Sequence, residues 1–367
     1  MNRLFRHTAA IILAGAILSG CAYDETVREL REQPTGSDSL AITFDNGLID
    51  NPVVTKGYTL LSDHMNTMGV WGWQNKDGQS MNLFLNQQVT FSPEYNDWTY
   101  SPAKYWEDGS SYRFYAYAPH VSSVPGASVS IDQETGYISI SGVTLKGDNT
   151  MSAAAQPRPY GNFSTVDDID WMIDRTGQLI PVEKIHNRVT FNLQHTLVKF
   201  NVMVKTGGDI TETGTQVILD SLSIGSFLSK GNFSQKLNRS PVIGDAADQA
   251  AAEWTVDATS PRYTLQGTRG AAVSADGCCV IESLLLPQDV AADQQVQIHY
   301  TLLSPSGRTE GFSHRFNLAD AFSTFLYAHN YTLNIVIGLN LITFDAGATQ
   351  WDNVPGNNIV LNGRDNN

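Results

Sequence analysis

The chain has 367 residues, 41% of them hydrophobic and 16% charged, with a net charge of −14. Charged residues fall below the usual share of about 25%, and the apolar content is enough for a buried core, which excludes general disorder. The acidic balance excludes nucleic acid and an anionic membrane face as expected partners.

The N-terminus carries Arg3 and Arg6, then an apolar run from Thr8 to Leu18 that ends in Leu18-Ser19-Gly20-Cys21. A basic start, a short apolar stretch and small residues before a cut site form a signal peptide, expected over 1–20. The run is too short to span a bilayer, which takes about 20 apolar residues. Leu-Ser-Gly-Cys resembles the lipobox of bacterial lipoproteins, in which the Cys thiol is acylated and becomes the new N-terminus. Cys21 is therefore the expected lipidation site; an ordinary secretory cut near a Cys is the alternative. One acyl chain holds a protein only marginally, whereas two or more hold it stably.

Residues 21–37 are polar, without a sustained apolar period, and are expected to form a tether or pro-segment. From Leu40 the pattern becomes β-like: Leu40, Ile42 and Phe44 alternate with Ala41 and Thr43, and Asn46-Gly47 makes a turn. Strand-rich stretches follow at Tyr112–Ala118, Ser128–Ile140, Val189–Val204, Gln216–Ile224, Val280–Leu286, Val296–Leu302 and Tyr331–Phe344, broken by Gly, Asn, Asp and Pro. Short helices are expected at Asp167–Asp174 and Leu318–Phe325. Many short strands with frequent turns indicate an all-β chain of β-sandwiches.

Two parity switches punctuate this pattern. In Val189–Val204 the apolar positions are odd up to Leu193 and even from Val198, and a boundary near residue 187 divides the chain into sandwiches at 38–187 and 188–367. In the last strand Tyr331, Leu333, Ile335, Ile337, Leu339 and Leu341 share a face, but parity flips at Ile342 and Phe344, which marks a bulge or a strand break. Beyond Pro355-Gly356 a final apolar piece, Ile359–Leu361, precedes a polar tail.

The search for chemistry is mostly negative. No phosphate loop, HExxH, GxSxG or paired CxxC occurs, so no catalytic residue, cofactor or metal is expected. Adjacent Cys278 and Cys279 are read as buried thiols, because neighbouring alpha carbons lie only about 3.8 Å apart and rarely bridge. His186 and His195 bracket a strand, with no carboxylate beside them in the sequence, and are read as structural. The acidic group Asp167, Asp168, Asp170 and Asp174 lacks the Gly and final Glu of a calcium loop and is read as a solvated loop or helix start. No pair of carboxylates is marked out for glycoside hydrolysis. Trp71, Trp73, Trp98, Tyr100, Tyr105 and Trp106 suit either core filling or stacking on sugar, with core filling preferred.

Together these motifs resemble the fimbrillin, or type V pilin, family of Gram-negative anaerobes, over most of residues 38–352. The resemblance is carried by Val70-Trp71-Gly72-Trp73, Trp98–Trp106, Tyr112–Pro119, Asp168–Met172, Val189–Phe200 with its central His, Ile218–Phe233, Leu284–Gln288 and Tyr331–Trp351. The chain departs from the family at Phe325-Leu326-Tyr327-Ala328, where a Trp-x-x-Gly often stands. The resemblance implies two tandem transthyretin-like β-sandwich domains, no catalysis, and passage to the outer membrane as a lipoprotein anchored through Cys21. It also implies fimbrial subunits as partners, joined by β-strand addition, and a host or bacterial surface receptor. In polymerising members an Arg-specific protease removes the lipid and first strand, and a neighbour's C-terminal strand fills the groove. Arg28 and Arg31 are the candidate cut sites here, although the family's cut usually lies further downstream. The tail from Leu341 to Leu361, with Leu341, Phe344, Ile359 and Leu361, is the candidate donor strand or else an edge strand closing the second sandwich. The alternative function is a glycan-binding surface lipoprotein.

Overall fold

A computed structural model describes residues 40–46, 67–92, 97–132, 137–147, 168–174, 177–236, 252–267, 270–339, 341–351 and 358–359. These residues are nearly all β. The first half holds β1 (Phe44–Asn46), β2 (Thr67–Lys76), β3 (Gln79–Ser92), β4 (Asp97–Thr99), β5 (Ser111–Ala118), β6 (Ser128–Asp132), β7 (Tyr137–Thr144), β8 (Met172–Asp174) and β9 (Gln178–Ile180). Next come β10 (Val189–Phe191), β11 (Leu193–His195), β12 (Val198–Thr206), the one-turn helix α1 (Gly208–Thr213), β13 (Gln216–Leu228), β14 (Lys230–Lys236), β15 (Ala252–Val256), β16 (Arg262–Gln266) and β17 (Ala271–Val273). The chain ends with β18 (Cys278–Leu285), β19 (Gln288–Asp289), β20 (Gln295–Leu303), β21 (Thr309–Asn317), β22 (Thr324–Phe325), β23 (His329–Ile337), β24 (Ile342–Gln350) and β25 (Asn358–Ile359).

A sheet of order β11-β8-β5-β2-β3-β4, with β9 on β5, dominates the first half. One face of it packs Met68, Val70, Phe84, Val89 and Phe114 against Ile42, Phe44, Val189 and Phe191. The second half is a sandwich of two sheets, β18-β12-β23-β24-β25 and β16-β13-β20-β21. Their alternating inward residues, among them Phe200, Val202, Leu219, Ile224, Ile298, Leu333 and Ile335, make one core.

A third core lies between these bodies. Trp71, Tyr117, Trp171 and Ile173 from the back of the first sheet meet Ile138, Ile140, Phe233, Leu284 and Trp351. It is floored by a sheet of order β15-β14-β7-β6, in which Phe233 pairs with Ile140 and Gln235 with Ile138. Strands from both sides of residue 187 thus share one sheet.

Both parity switches have a structural cause. Between Leu193 and Val198 the chain leaves the first sheet and enters the second sandwich; Thr196 and Leu197, fully buried, form the crossing. The flip at Ile342 is a strand break: β23 stops at Ile337, Gly338 N–H donates to Leu341 O at 2.8 Å, and β24 returns antiparallel. Half-buried Leu339 still packs against the core, whereas Leu341 leaves the apolar face and is 68% exposed.

Both expected helices are corrected. Met172–Asp174 is the strand β8, because Trp171, Met172 and Ile173 all enter cores, which one face of a short helix could not do. Leu318–Asp320 is a single 3-10 turn and Thr324–Phe325 is β22. Cys278 and Cys279 are free thiols, and burial pushes Cys279 up to about 12.

Candidate functional site

The segment at 40–46 is hydrogen-bonded along both edges. On one side Ile42 N–H donates to Lys104 O and Trp106 N–H to Leu40 O, both at 2.9 Å, around an Ala41–Tyr105 bridge. On the other side Val189 N–H donates to Thr43 O at 2.9 Å, and β1 runs parallel to β10 with Phe44 opposite Val189. The segment is therefore an inserted strand rather than a flap on the surface.

Its side chains fill two pockets. Ile42 and Phe44 are fully buried. The Phe44 ring lies 5.2 Å from Phe84, 5.5 Å from Tyr100, 5.6 Å from Phe114 and 5.6 Å from Phe191. Tyr100 O–H donates to Ile42 O at 2.7 Å from a buried position that raises its pKa. Arg188 reaches from beside β10 to Asp97 of β4 at 2.5 Å and to Asp45 of the segment at 4.0 Å. The expected in-out alternation does not hold: Ala41 and Thr43 are covered as well, and Leu40 is 58% exposed.

The C-terminal hairpin carries the described donor candidates. β24 pairs with β23 from His329–Gln350 to Ile337–Ile342. Ala346 and Ala348 enter the core, while Phe344 lies at its rim, stacked on Phe316 at 4.5 Å. β25 folds back on β24, with Ile359 opposite Ala348. Leu341 is in the turn, Phe344 on β24 and Ile359 on β25, so these three do not lie on a single strand. Cys21, Arg28, Arg31 and Leu361 lie outside the described residues.

A buried polar group marks the junction between the halves. His195 Nδ1 lies 2.7 Å from Asp170 Oδ2, and both residues are buried. The His195 ring stacks on Trp351 at 3.7 Å. Lys199 Nζ stands 2.8 Å from Glu282 Oε1 and 6.0 Å from the centre of the Trp351 ring. Burial draws Lys199 down to about 8 against the pull of Glu282, and it raises Glu282. His195 therefore does have a carboxylate partner. No local signal joined the two: Asp170 stands just before β8, and the antiparallel pairing of β8 with β11 brings it to His195. The other acids bond backbone: Asp168 accepts from Lys146 N–H at 2.6 Å and Gly147 N–H at 3.0 Å, and Asp174 accepts from Gly177 N–H at 3.1 Å. Asp167 lies outside the described residues.

The aromatics divide unequally between surface and interior. Trp71, Trp98, Tyr100 and Trp106 are buried, Trp73 is half-buried, and Tyr105 is 55% exposed.

Residues 61–351 match the fimbrillin-like family. The chain belongs to that family. A fimbrial protein from Bacteroides vulgatus ATCC 8482 shares its fold, with a TM-score of 0.56 at 15% identity, over 85% of this chain and 100% of that one. A candidate cell adhesion protein from Bacteroides uniformis ATCC 8492 aligns with a TM-score of 0.46 at 15% identity, over 87% of this chain and 100% of that one. The tip fimbrial protein Mfa3 from Porphyromonas gingivalis aligns with a TM-score of 0.35 at 9% identity, over 85% of this chain and 99% of that one. Among curated proteins, none matches the sequence. Membership of the fimbrillin-like family supports a fimbrial subunit or adhesin at the cell surface.

Proposed function

We propose that this fimbrillin-like chain is a non-enzymatic fimbrial subunit or fimbria-associated adhesin, exported as an outer-membrane lipoprotein through Cys21 and assembling by β-strand addition. The observation that carries the reading is the seat of residues 40–46. A short strand bonded on both edges, with Ile42 and Phe44 in pockets, has the form of a site that one extended peptide can vacate and another occupy. In such a site backbone bonds supply affinity and alternate side chains supply selection.

The placement of arginines refines the role. Arg28 and Arg31 precede the inserted strand, and the next arginine is Arg113 within β5. An Arg-specific cut in the tether therefore removes the lipid but leaves Ile42 and Phe44 in place. With its slot filled by its own chain, the subunit takes no donor strand and suits one end of a fimbria rather than the repeating stalk. The tail from Leu341 to Leu361 is the strand it offers, which requires β25, and then β24, to leave the sheet. The units 38–187 and 188–367 remain the proposed domains, each transthyretin-like, with the β15-β14-β7-β6 sheet shared between them. A host or bacterial surface receptor completes the proposed partners. Glycan binding loses support because the aromatics that suggested it are mostly buried in the cores.

The test has two arms. The N-terminal mass of protein taken from cells should show acylated Cys21; a start at Glu29 or Glu32 would refute retention of the lipid. A peptide of residues 341–361 should bind only after residues up to Asn46 are removed. Failure to bind the truncated, folded protein would overturn strand addition at this slot.

A further inference from the structure

The outer face of the second sandwich carries three reactive groups on adjacent strands. Lys199, on β12, has no exposed surface. To one side its Nζ meets Glu282 Oε1 of β18 at 2.8 Å. To the other side β12 runs parallel to β23, and Lys199 stands in register with Asn330. Side chains in register on neighbouring strands share a face, with the strands about 4.8 Å apart. An amine is thus flanked by a carboxyl and a carboxamide across three strands.

The surroundings favour reaction between them. Asn201 Nδ2 donates to Asn330 Oδ1 at 2.6 Å, which polarises the Asn330 carbonyl. Trp351 and the fully buried Leu284 lie beside Lys199, which is sheltered from water, while Glu282 and Asn330 are partly buried. The other titratable groups acting on the lysine are Asp170 and Cys279. Burial moves Lys199 toward its neutral, nucleophilic form and Glu282 toward its protonated form. Holding reactants side by side in a rigid sheet replaces a bimolecular encounter by an intramolecular one.

We propose that Lys199 and Asn330 join in an intramolecular amide bond, with Glu282 carrying the proton. The Nζ lone pair attacks Cγ of Asn330. Glu282, protonated at the start, gives its proton to the departing carboxamide nitrogen and takes one from Nζ in its place. The Cγ–Nδ2 bond breaks and ammonia leaves. No oxidation state changes, and no co-reactant is needed. The product ties the first strand of the second sandwich to β23 across their parallel pairing, a covalent clamp across the sheet.

Mass spectrometry of the full chain from cells tests this directly. Digestion should yield a branched peptide containing Lys199 and Asn330, lighter by one ammonia than its two arms, with no tryptic cleavage after Lys199. Asn330→Asp should condense with loss of water and yield the same branched product, because the amide formed is chemically identical. Glu282→Gln should fold, as judged by circular dichroism, and remain unlinked. Separate, unmodified peptides from the wild-type chain would overturn the proposal, as would a branch mapped to Asn201 or full linkage in folded Glu282→Gln.

Discussion

Replacing Phe44 by Ala tests whether the inserted strand is held by its anchor side chain. The ring is fully buried and touches Phe84, Tyr100, Phe114 and Phe191 at centroid distances of 5.2–5.6 Å. A buried Phe→Ala change costs about 3–5 kcal/mol. The backbone bonds of the segment, including Ile42 N–H to Lys104 O, are unchanged by the substitution. The cost should therefore appear first as local release of the strand. At about 1.4 kcal/mol per factor of ten, the released population rises by roughly two to three and a half orders of magnitude. Hydrogen exchange read by mass spectrometry should show that acceleration at Ile42 and Val189 amides, with β13 and β20 unaffected. Phe44→Leu, which keeps most of the volume, should cost under about 1.5 kcal/mol. Exchange at Ile42 and Val189 that stayed within about threefold of wild type in Phe44→Ala would refute the reasoning, because the strand would then not depend on its anchor.

Other expectations follow from single contacts. Gly69→Ala should destabilise by about 1–3 kcal/mol in urea unfolding, since a Cβ there would sit 2.1 Å from the Tyr117 ring. Asp168→Ala strips acceptors from the Lys146 and Gly147 amides and should lower the unfolding free energy by about 1–3 kcal/mol. His120 offers a pH test: desolvation lowers its pKa below 6.5, and Nδ1 accepts from Ser122 N–H at 3.3 Å. The unfolded chain then binds the proton first, so stability is lost as pH falls from 6.5 toward the lower folded value. His120→Gln should flatten a plot of thermal midpoint against pH in that window. Leu341→Asp, in an exposed turn, should change stability by less than about 0.5 kcal/mol in the same unfolding assay.

Much of the fold was legible because half-buried strands advertise themselves by alternation. Tyr331 to Ile337, Gln216–Ile224 and Val296–Leu302 all fall within observed strands, and both parity switches mark places where the chain changes sheet or direction. Alternation fails where a strand is covered on both faces. Ala41 and Thr43 are as enclosed as their apolar neighbours, and Lys199, a polar residue at a polar parity, has no exposed surface. Met172–Asp174 was too short for any period to speak. The His195–Asp170 pair was invisible because two strands from different parts of the chain bring it together. The inserted strand itself was visible in Leu40–Phe44, but Arg188, Asp97 and Tyr100, which hold it, carry no local signature.

The sheet that runs β15-β14-β7-β6 sets an order of events during folding. The hairpin β6–β7 is made early in the chain, yet its inner partner β14 comes only after β13. Until then Ile138 and Ile140 have neither Phe233 beside them nor Leu284 and Leu286 above them. Contacts that join distant parts of a chain are slow to form and leave edges open to wrong partners meanwhile. The first half therefore emerges as an unfinished body whose last wall is supplied by the second. Truncations placed anywhere between β7 and β15 should yield aggregates, not a smaller working unit.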